Sequence, residues 1–116
     1  MVLSKSDRKA ARLIIEKGLQ QEYAKELNIF YEMLKKWKDG SVDNREAFHN
    51  LYASVNGFNK HIARRYDRHS SRYYTLIITS QLIDKVIDEC DLKDLSSQTQ
   101  DTIKRIVQLN NDSEED

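Results

Sequence analysis

The chain contains no proline and only three glycines, Gly18, Gly40 and Gly57, in 116 residues. Tight turns depend on these residues because they supply backbone angles that other residues avoid. A β-sandwich or β-barrel needs many such turns, and three glycines are too few for them. The scarcity of turn residues therefore predicts few secondary-structure elements, all of them helical and most of them long.

The first predicted helix begins at Ser4 or Ser6, because either side chain can cap the free N–H groups of a first turn. Its apolar residues recur every three or four positions, the pattern of a helix with one buried face. They are Leu19, Tyr23, Leu27, Phe30, Leu34 and Trp37. Gly40 follows three lysines and is well placed to end this helix.

The second predicted helix opens at Asp43, with Glu46 three residues later in a capping-box pattern. Its apolar stripe has the same spacing and consists of Phe48, Leu51, Val55, Phe58, Ile62 and Tyr66. Two matched stripes joined by a short loop predict an antiparallel helical hairpin. In this hairpin we expect Phe30 and Phe58 to lie on facing stripes.

The third predicted helix extends from about Ser71 to Cys90. Its segment RYYTLIIT has strand propensity, but the apolar positions keep helical spacing and the chain offers no partner strand. A shorter fourth helix begins near Ser96 or Ser97. We therefore predict an all-α, up-and-down helical bundle of three long helices plus a short fourth. It forms a single domain over residues 1–109, followed by a disordered acidic tail over residues 110–116.

The segment HIARRYDRHSSRYY, residues 61–74, is the strongest candidate for a binding site. Residues 1–72 hold 15 Lys/Arg against 9 Asp/Glu, whereas residues 73–116 hold 4 against 10. On a helix, the basic side chains around this segment fall on one face. The candidate anion-binding or partner-binding residues are Lys60, His61, Arg64, Arg65, Arg68, Arg72 and Tyr73. Such a patch suits an acidic protein or nucleic acid, unless the acidic tail neutralises it.

Two catalytic alternatives stay open. The segment HNLYASVNG, from His49 to Gly57, resembles the phosphorylated helix of histidine phosphotransfer domains, which implies His49 as phosphoacceptor. Tyr52 and Ala53 depart from that family, which has a lysine and a small glycine beside the histidine. Arg64 and His69 have the Arg-x4-His spacing that resembles the metal-independent RNase motif of some helical-bundle toxins. We find no metal-ligand motif and no phosphate-binding loop, so we expect no metal and no cofactor.

The single cysteine, Cys90, and the absence of an apolar leader or a run of 18 apolar residues predict a cytoplasmic protein without membrane association. The function that best fits is a small non-catalytic interaction or regulatory module that binds at the Arg/Tyr-rich junction of the second and third helices. Nucleic-acid binding there is the first alternative. Because the first helix outreaches the second, its residues Leu13, Ile14 and Ile15 need cover. Either the third and fourth helices or a second copy of the chain can supply it, and we favour a homodimer.

Overall fold

The structure, a computed structural model, describes residues 3–68 and 70–115. Over these residues the chain forms four α-helices, two short 3-10 helices and no β-strand. The α-helices are α1 (Lys5–Lys38), α2 (Asn44–Tyr66), α3 (Tyr74–Ile83) and α4 (Ser97–Glu115), and the 3-10 helices are Ser71–Tyr73 and Glu89–Leu92. The predicted all-α, bundle-like fold is confirmed.

Helix α1 has the predicted ends. The Ser4 hydroxyl accepts a hydrogen bond from the backbone N–H of Asp7 at 3.0 Å and so caps the first turn. At the other end, Gly40 adopts a φ of 89°, and the N–H of Ser41 reaches back to the carbonyl of Lys36. A positive φ at this position is what glycine supplies cheaply at a helix end. The helix passes through Gly18 without a break.

The third helix is shorter than the sequence predicts. It ends at Ile83, and the residues up to Cys90 form a turn and the start of a 3-10 helix. The N–H of Lys85 bonds to the carbonyl of Leu82, and the N–H of Val86 bonds to that of Gln81, with Lys85 at a φ of 59°. This is the Schellman arrangement that closes a helix, here with lysine in place of the usual glycine.

Backbone contacts divide the chain into two compact units. The first combines the start of α1, up to Gln20, with the chain from Arg68 onward, and the second is Gln21–Asp67. We call the second unit the hairpin unit. The prediction of one domain over residues 1–109 remains a prediction.

The hydrophobic core lies entirely in the first unit. The start of α1 packs there against side chains from α3, from α4 and from the segment between them. The core residues are Leu3, Ala10, Ala11, Ile14, Ile78, Ile87, Leu92, Leu95 and Ile103. Ile15 packs against this core, so α3, α4 and their connection cover most of the first helix's apolar start, which is one of the two sources of cover that the sequence allowed. Leu13 stays 66% exposed.

A buried carboxylate, Asp7, connects the start of α1 to the start of α4 within this core. Asp7 is 4% exposed, and it accepts hydrogen bonds from the backbone N–H of Ser96 at 2.8 Å and from the Ser96 hydroxyl at 2.7 Å. The Thr99 hydroxyl donates a third bond at 2.5 Å. Ser96 directly precedes α4, as predicted, so Asp7 stabilises the start of α4 from within α1. A carboxylate is favoured at this place because a helix N-terminus is electropositive.

Helix α4 extends to Glu115. Residues 110–115 continue the helix, and the Gln108 side chain donates to Asp112 one turn later. The disordered acidic tail over residues 110–116 remains a prediction. Asp116 lies outside the described residues.

Candidate interaction surfaces

The hairpin unit consists of the second half of α1 and all of α2, joined by the loop at Gly40. Trp37 Nε1 donates to Asn44 Oδ1 at 2.7 Å beside the loop, and Tyr23 packs edge-on against Phe58 with ring centroids 5.2 Å apart. Glu22 lies 2.7 Å from His61 farther along. These pairs confirm the predicted antiparallel hairpin. Phe30 and Phe58 are both only half-buried.

No residue of Gln21–Asp67 is buried, although the structure describes all of them. Across the described part of the chain, twelve large hydrophobic side chains are exposed, and nine of them belong to the hairpin unit. Two amphipathic helices side by side cannot enclose a core, because each apolar stripe needs a further layer to cover it. The hairpin unit therefore presents much of its apolar surface to solvent.

Six of these side chains lie on one side of the hairpin. Tyr23 and Trp37 contact α2 and lie within about 20° of Phe30 around α1, so Phe30 marks the side of α1 nearest α2. Relative to Phe30, the side chains of Leu27, Tyr31 and Leu34 are rotated by about 40–100°. On α2, the side chains of Phe48, Tyr52 and Val55 are rotated by about 60–120° from that of Phe58. Viewed from the N-terminus of each helix, the sense of rotation is the same as on α1. Since the helices are antiparallel, rotations of the same sign fall on the same side. We call this surface the hairpin face: Leu27, Tyr31, Leu34, Phe48, Tyr52 and Val55, with exposed fractions of 38–66%.

A shallow cavity of about 210 Å³ indents the hairpin at its loop end. Its lining is almost wholly apolar: Met33, Leu34, Trp37, Asn44, Ala47, Phe48 and Leu51. Leu34 and Phe48 line the cavity and belong to the hairpin face, which agrees with their placement on the same side of the hairpin. An apolar depression of this kind suits a hydrophobic side chain of a partner.

The basic residues of α2 are partly neutralised within the hairpin unit. The Glu22 side chain is 10% exposed, and its carboxylate contacts three side chains from α2. His61 Nε2 lies 2.7 Å from Glu22 Oε1, the Tyr66 hydroxyl donates to Glu22 Oε2 at 2.5 Å, and Arg65 Nε lies 3.5 Å from that same oxygen. The Arg65 side chain is 6% exposed. His61 and Arg65 are thus held by a carboxylate that the sequence reading did not single out.

A second cluster involves Tyr73 in the first unit. The guanidinium carbons of Arg68 and Arg72 lie 5.1 Å and 4.9 Å from the centroid of the Tyr73 ring. Arg72 also donates to the Tyr73 hydroxyl at 2.7 Å, and this bond lowers the pKa of that hydroxyl below its ordinary value. Cation–π packing holds both arginines near one ring at the surface.

The structure therefore does not gather the seven predicted site residues on one helix. Helix α2 ends at Tyr66, so Arg68 lies beyond it and Arg72 belongs to the 3-10 helix that precedes α3. Lys60 and Arg64 are exposed on α2, and no ion pair joins either of them to another described residue. The role of the seven residues in binding remains a prediction.

The two catalytic alternatives depend on His49 and on the pair Arg64 and His69. His49 is exposed on α2, with its ring edge-on to Phe48 at 5.8 Å between centroids. The predicted partner of Arg64, His69, lies outside the described residues. Among residues 3–68 and 70–115, no three metal-ligating side chains come together. Of the helices in that same part of the chain, none combines the length and the apolar content that a membrane span requires.

Comparisons of the chain with protein-family models, with curated proteins and with solved structures found no match.

The predicted stripes placed Leu27, Leu34, Phe48 and Val55 between the two helices, so no further apolar surface was predicted for the hairpin. Tyr31 and Tyr52 lie outside those stripes, and each widens the apolar surface of its helix toward one side. The signal was present: an apolar arc broader than one partner helix can cover indicates a third layer.

Proposed function

We propose that the chain is a small, non-catalytic interaction module of the cytoplasm, and that the hairpin face is its binding surface. The observation that carries this proposal is the contrast between the two units. Every buried residue of the described chain lies in the first unit, whereas the hairpin unit holds nine exposed large hydrophobic side chains and no buried residue.

The energetic cost of leaving this surface in water supports the proposal. Fully burying one large apolar side chain contributes about 1.5–3 kcal/mol relative to full exposure. The six side chains of the hairpin face are 38–66% exposed, so part of that contribution is still available at each of them. Exposed side chains scattered singly are ordinary, but an apolar patch continuous over two helices is typical of an interaction site. Two of the six are tyrosines and one is phenylalanine, residue types that are enriched at interfaces.

The test compares the full chain, produced in its own cells and purified under mild conditions, with two triple variants. The face variant carries Leu27→Gln, Leu34→Gln and Phe48→Gln. The matched control carries Leu13→Gln, Leu76→Gln and Leu109→Gln, three leucines that are also half or more exposed but lie outside the face. We expect wild type and control to elute in a complex of defined composition, and the face variant to elute as a single chain.

Either of two results would contradict the proposal. One is a face variant that keeps the same complex as the wild type. The other is a wild-type chain that is monomeric in every fraction, with a hydrodynamic radius and thermal stability that the face variant shares. Circular dichroism of both variants verifies that they remain helical.

We propose anion binding at the Arg/Tyr-rich segment as a second candidate function, favoured by the cluster on Tyr73. Two guanidinium groups lie against one half-buried aromatic ring there, and arginine together with an aromatic ring is the combination that binds phosphate and stacks on a base.

A further inference from the structure

The two helices of the hairpin face carry the same spacing of apolar residues. On α1 the order is Leu27, then Tyr31 four residues later, then Leu34 after three more. On α2 it is Phe48, then Tyr52 four residues later, then Val55 after three more. Each helix thus has a tyrosine near the middle of its exposed patch and an aliphatic or phenyl side chain about one turn to either side. Because Trp37 meets Asn44 and Tyr23 meets Phe58, the two tyrosines lie at nearly the same level of the hairpin.

A surface with this pattern is complementary to its own copy. We infer that the occupant of the hairpin face is the hairpin face of a second copy of this chain, so that two hairpins close a four-helix bundle. The inference rests on the proposed function, since it names the partner of that same surface. The two-fold axis lies in the interface, perpendicular to the helices, at the level of Tyr31 and Tyr52.

Rotation about this axis sets the pairs across the interface. It places each helix opposite the same helix of the second copy and reverses its direction. Helix α1 therefore packs antiparallel to α1 of the second copy, and α2 packs antiparallel to α2. Leu27 then meets Leu34 of the second copy, and the larger Phe48 meets the smaller Val55. All neighbouring helices of the bundle are antiparallel, the arrangement found in up-and-down four-helix bundles.

Charge and area agree with the same pairing. Lys35, Lys38 and Arg45 lie at the loop end of the hairpin, and rotation about this axis puts the two loop ends at opposite ends of the bundle. The like charges of the two copies are therefore kept apart. Two adjacent helices of about 18 residues present a face of about 27 Å by 20 Å before side-chain relief is counted, which is the scale of the roughly 800 Å² that each partner contributes to a stable interface.

The first test is the mass of the full chain in solution. We expect sedimentation equilibrium at micromolar concentration to give twice the mass of one chain. Tyr52→Glu puts two carboxylates beside the axis, and we expect it to reduce the mass to that of a single chain. Tyr52 is 64% exposed, so the monomer tolerates glutamate there. The matched control is Leu13→Glu, at 66% exposure on α1 outside the face, which should remain dimeric.

The second test locates the axis by oxidation of single-cysteine variants. In a Cys90→Ser background, which removes the exposed native thiol, we expect Tyr52→Cys to form a covalent dimer readily, because residues next to a two-fold axis face their own copies. Phe48→Cys lies one turn away, so its two copies are about 12 Å apart along the helix direction and exceed the reach of a disulfide. We expect it to remain largely monomeric on denaturing gels.

A wild-type chain that stays monomeric at tens of micromolar overturns the inference, as does a dimer that Leu13→Glu dissociates and Tyr52→Glu does not. Preferential cross-linking at Phe48→Cys also contradicts it. If the purified chain is monomeric but its native complex with another protein is lost in the face variant, the inference fails while the proposed function stands. If no complex and no dimer depends on the face, both fail.

Discussion

Gly18 and Gly57 both lie inside helices, but only Gly18 has close neighbours. A Cβ at Gly18 would lie 2.8 Å from Gln81 Cδ and 3.2 Å from Ile87 Cγ2, whereas one at Gly57 would meet nothing within 4 Å. The Gln81 side chain cannot easily yield, because it is fully buried and its amide donates to the carbonyl of Ile15 at 3.1 Å. Glycine at position 18 thus lets α3 approach α1 closely.

This contrast predicts opposite effects of the same substitution. Gly57→Ala should stabilise the protein by up to about 1 kcal/mol, since alanine is the better helix former and has open space around it. Gly18→Ala has the same propensity gain, but overpacking costs about 1–3 kcal/mol and outweighs it. Chemical unfolding monitored by circular dichroism measures both. A Gly18→Ala protein more stable than wild type would show that Gln81 moves aside.

Asp7 makes the stability of the first unit depend on pH. Burial raises the pKa of Asp7, but the hydrogen bonds from Thr99 and Ser96 lower it by more, so that its pKa lies below the ordinary 3.8. A carboxyl group whose pKa is lower in the folded state contributes stability above its unfolded pKa. It loses that contribution as the pH falls through its folded pKa.

Asp7→Asn should therefore destabilise the protein by about 2–3 kcal/mol near neutral pH, because an amide cannot accept all three hydrogen bonds. The difference from wild type should begin to shrink below about pH 4 and be small once the pH is below the folded pKa. Unfolding curves at several pH values measure this. Asp39→Asn is the control: the Ser41 hydrogen bonds also lower the pKa of Asp39, but its side chain is exposed and its loss should matter far less. If the difference in unfolding free energy between Asp7→Asn and wild type stays constant down to low pH, the ionised carboxylate is not its source.

At the scale of the element, helix ends were predictable where the sequence marks them with a specialised residue. Ser4, Asp43, Ser96 and Gly40 all occupy the capping positions expected of them. The end of α3 carried no such mark, because Lys85 occupies the left-handed position that glycine or asparagine usually fills. The apolar spacing continues to Cys90 as well, since Val86 and Ile87 pack into the core from the turn. Periodicity therefore extended the predicted helix too far.

Lys85→Gly should stabilise the protein by about 1 kcal/mol, because the left-handed conformation costs a residue with a Cβ about 1–2 kcal/mol, part of which is offset by the greater freedom of glycine in the unfolded chain. Lys93 is the matched control. It follows the 3-10 helix Glu89–Leu92 with a φ of −55°, so Lys93→Gly should be destabilising. Thermal melts of the two variants give the comparison, and a loss of stability in both would mean that Lys85 contributes through its side chain.

At the scale of the whole molecule, the charge asymmetry of the sequence does not survive folding. The first unit contains 11 Lys/Arg and 12 Asp/Glu, and the hairpin unit contains 8 and 7. The basic start of α1 belongs to the same unit as the acidic C-terminal part of the chain, and Lys17 forms an ion pair with Asp91 across that unit. The sequence separates a basic N-terminal part from an acidic C-terminal part, but α1 contributes residues to both units. Counting charges along the chain therefore could not predict which basic residues stay exposed. Glu22 illustrates the point, since only its position opposite His61 and Arg65 reveals its role.

The remaining exposed arginines give the last prediction. Truncation after Asn111 removes four carboxylates and raises the net charge from zero to +4. It should change stability little, because the last buried residue of the described chain is Ile103. Binding of an RNA or another polyanion should then strengthen at low salt and weaken as salt is added, since such contacts release counterions.

Two triple substitutions in the truncated chain separate a local site from net charge alone. Arg64→Gln, Arg68→Gln and Arg72→Gln remove three exposed cations of the predicted segment, and we expect polyanion binding to be lost. Arg65 is left in place because Glu22 already holds it. Lys35→Gln, Lys36→Gln and Lys38→Gln remove the same charge from the end of α1, and we expect most of the binding to remain. Equal losses in the two variants would leave net charge as the cause, and the segment from His61 to Tyr74 would then be an ordinary solvated surface.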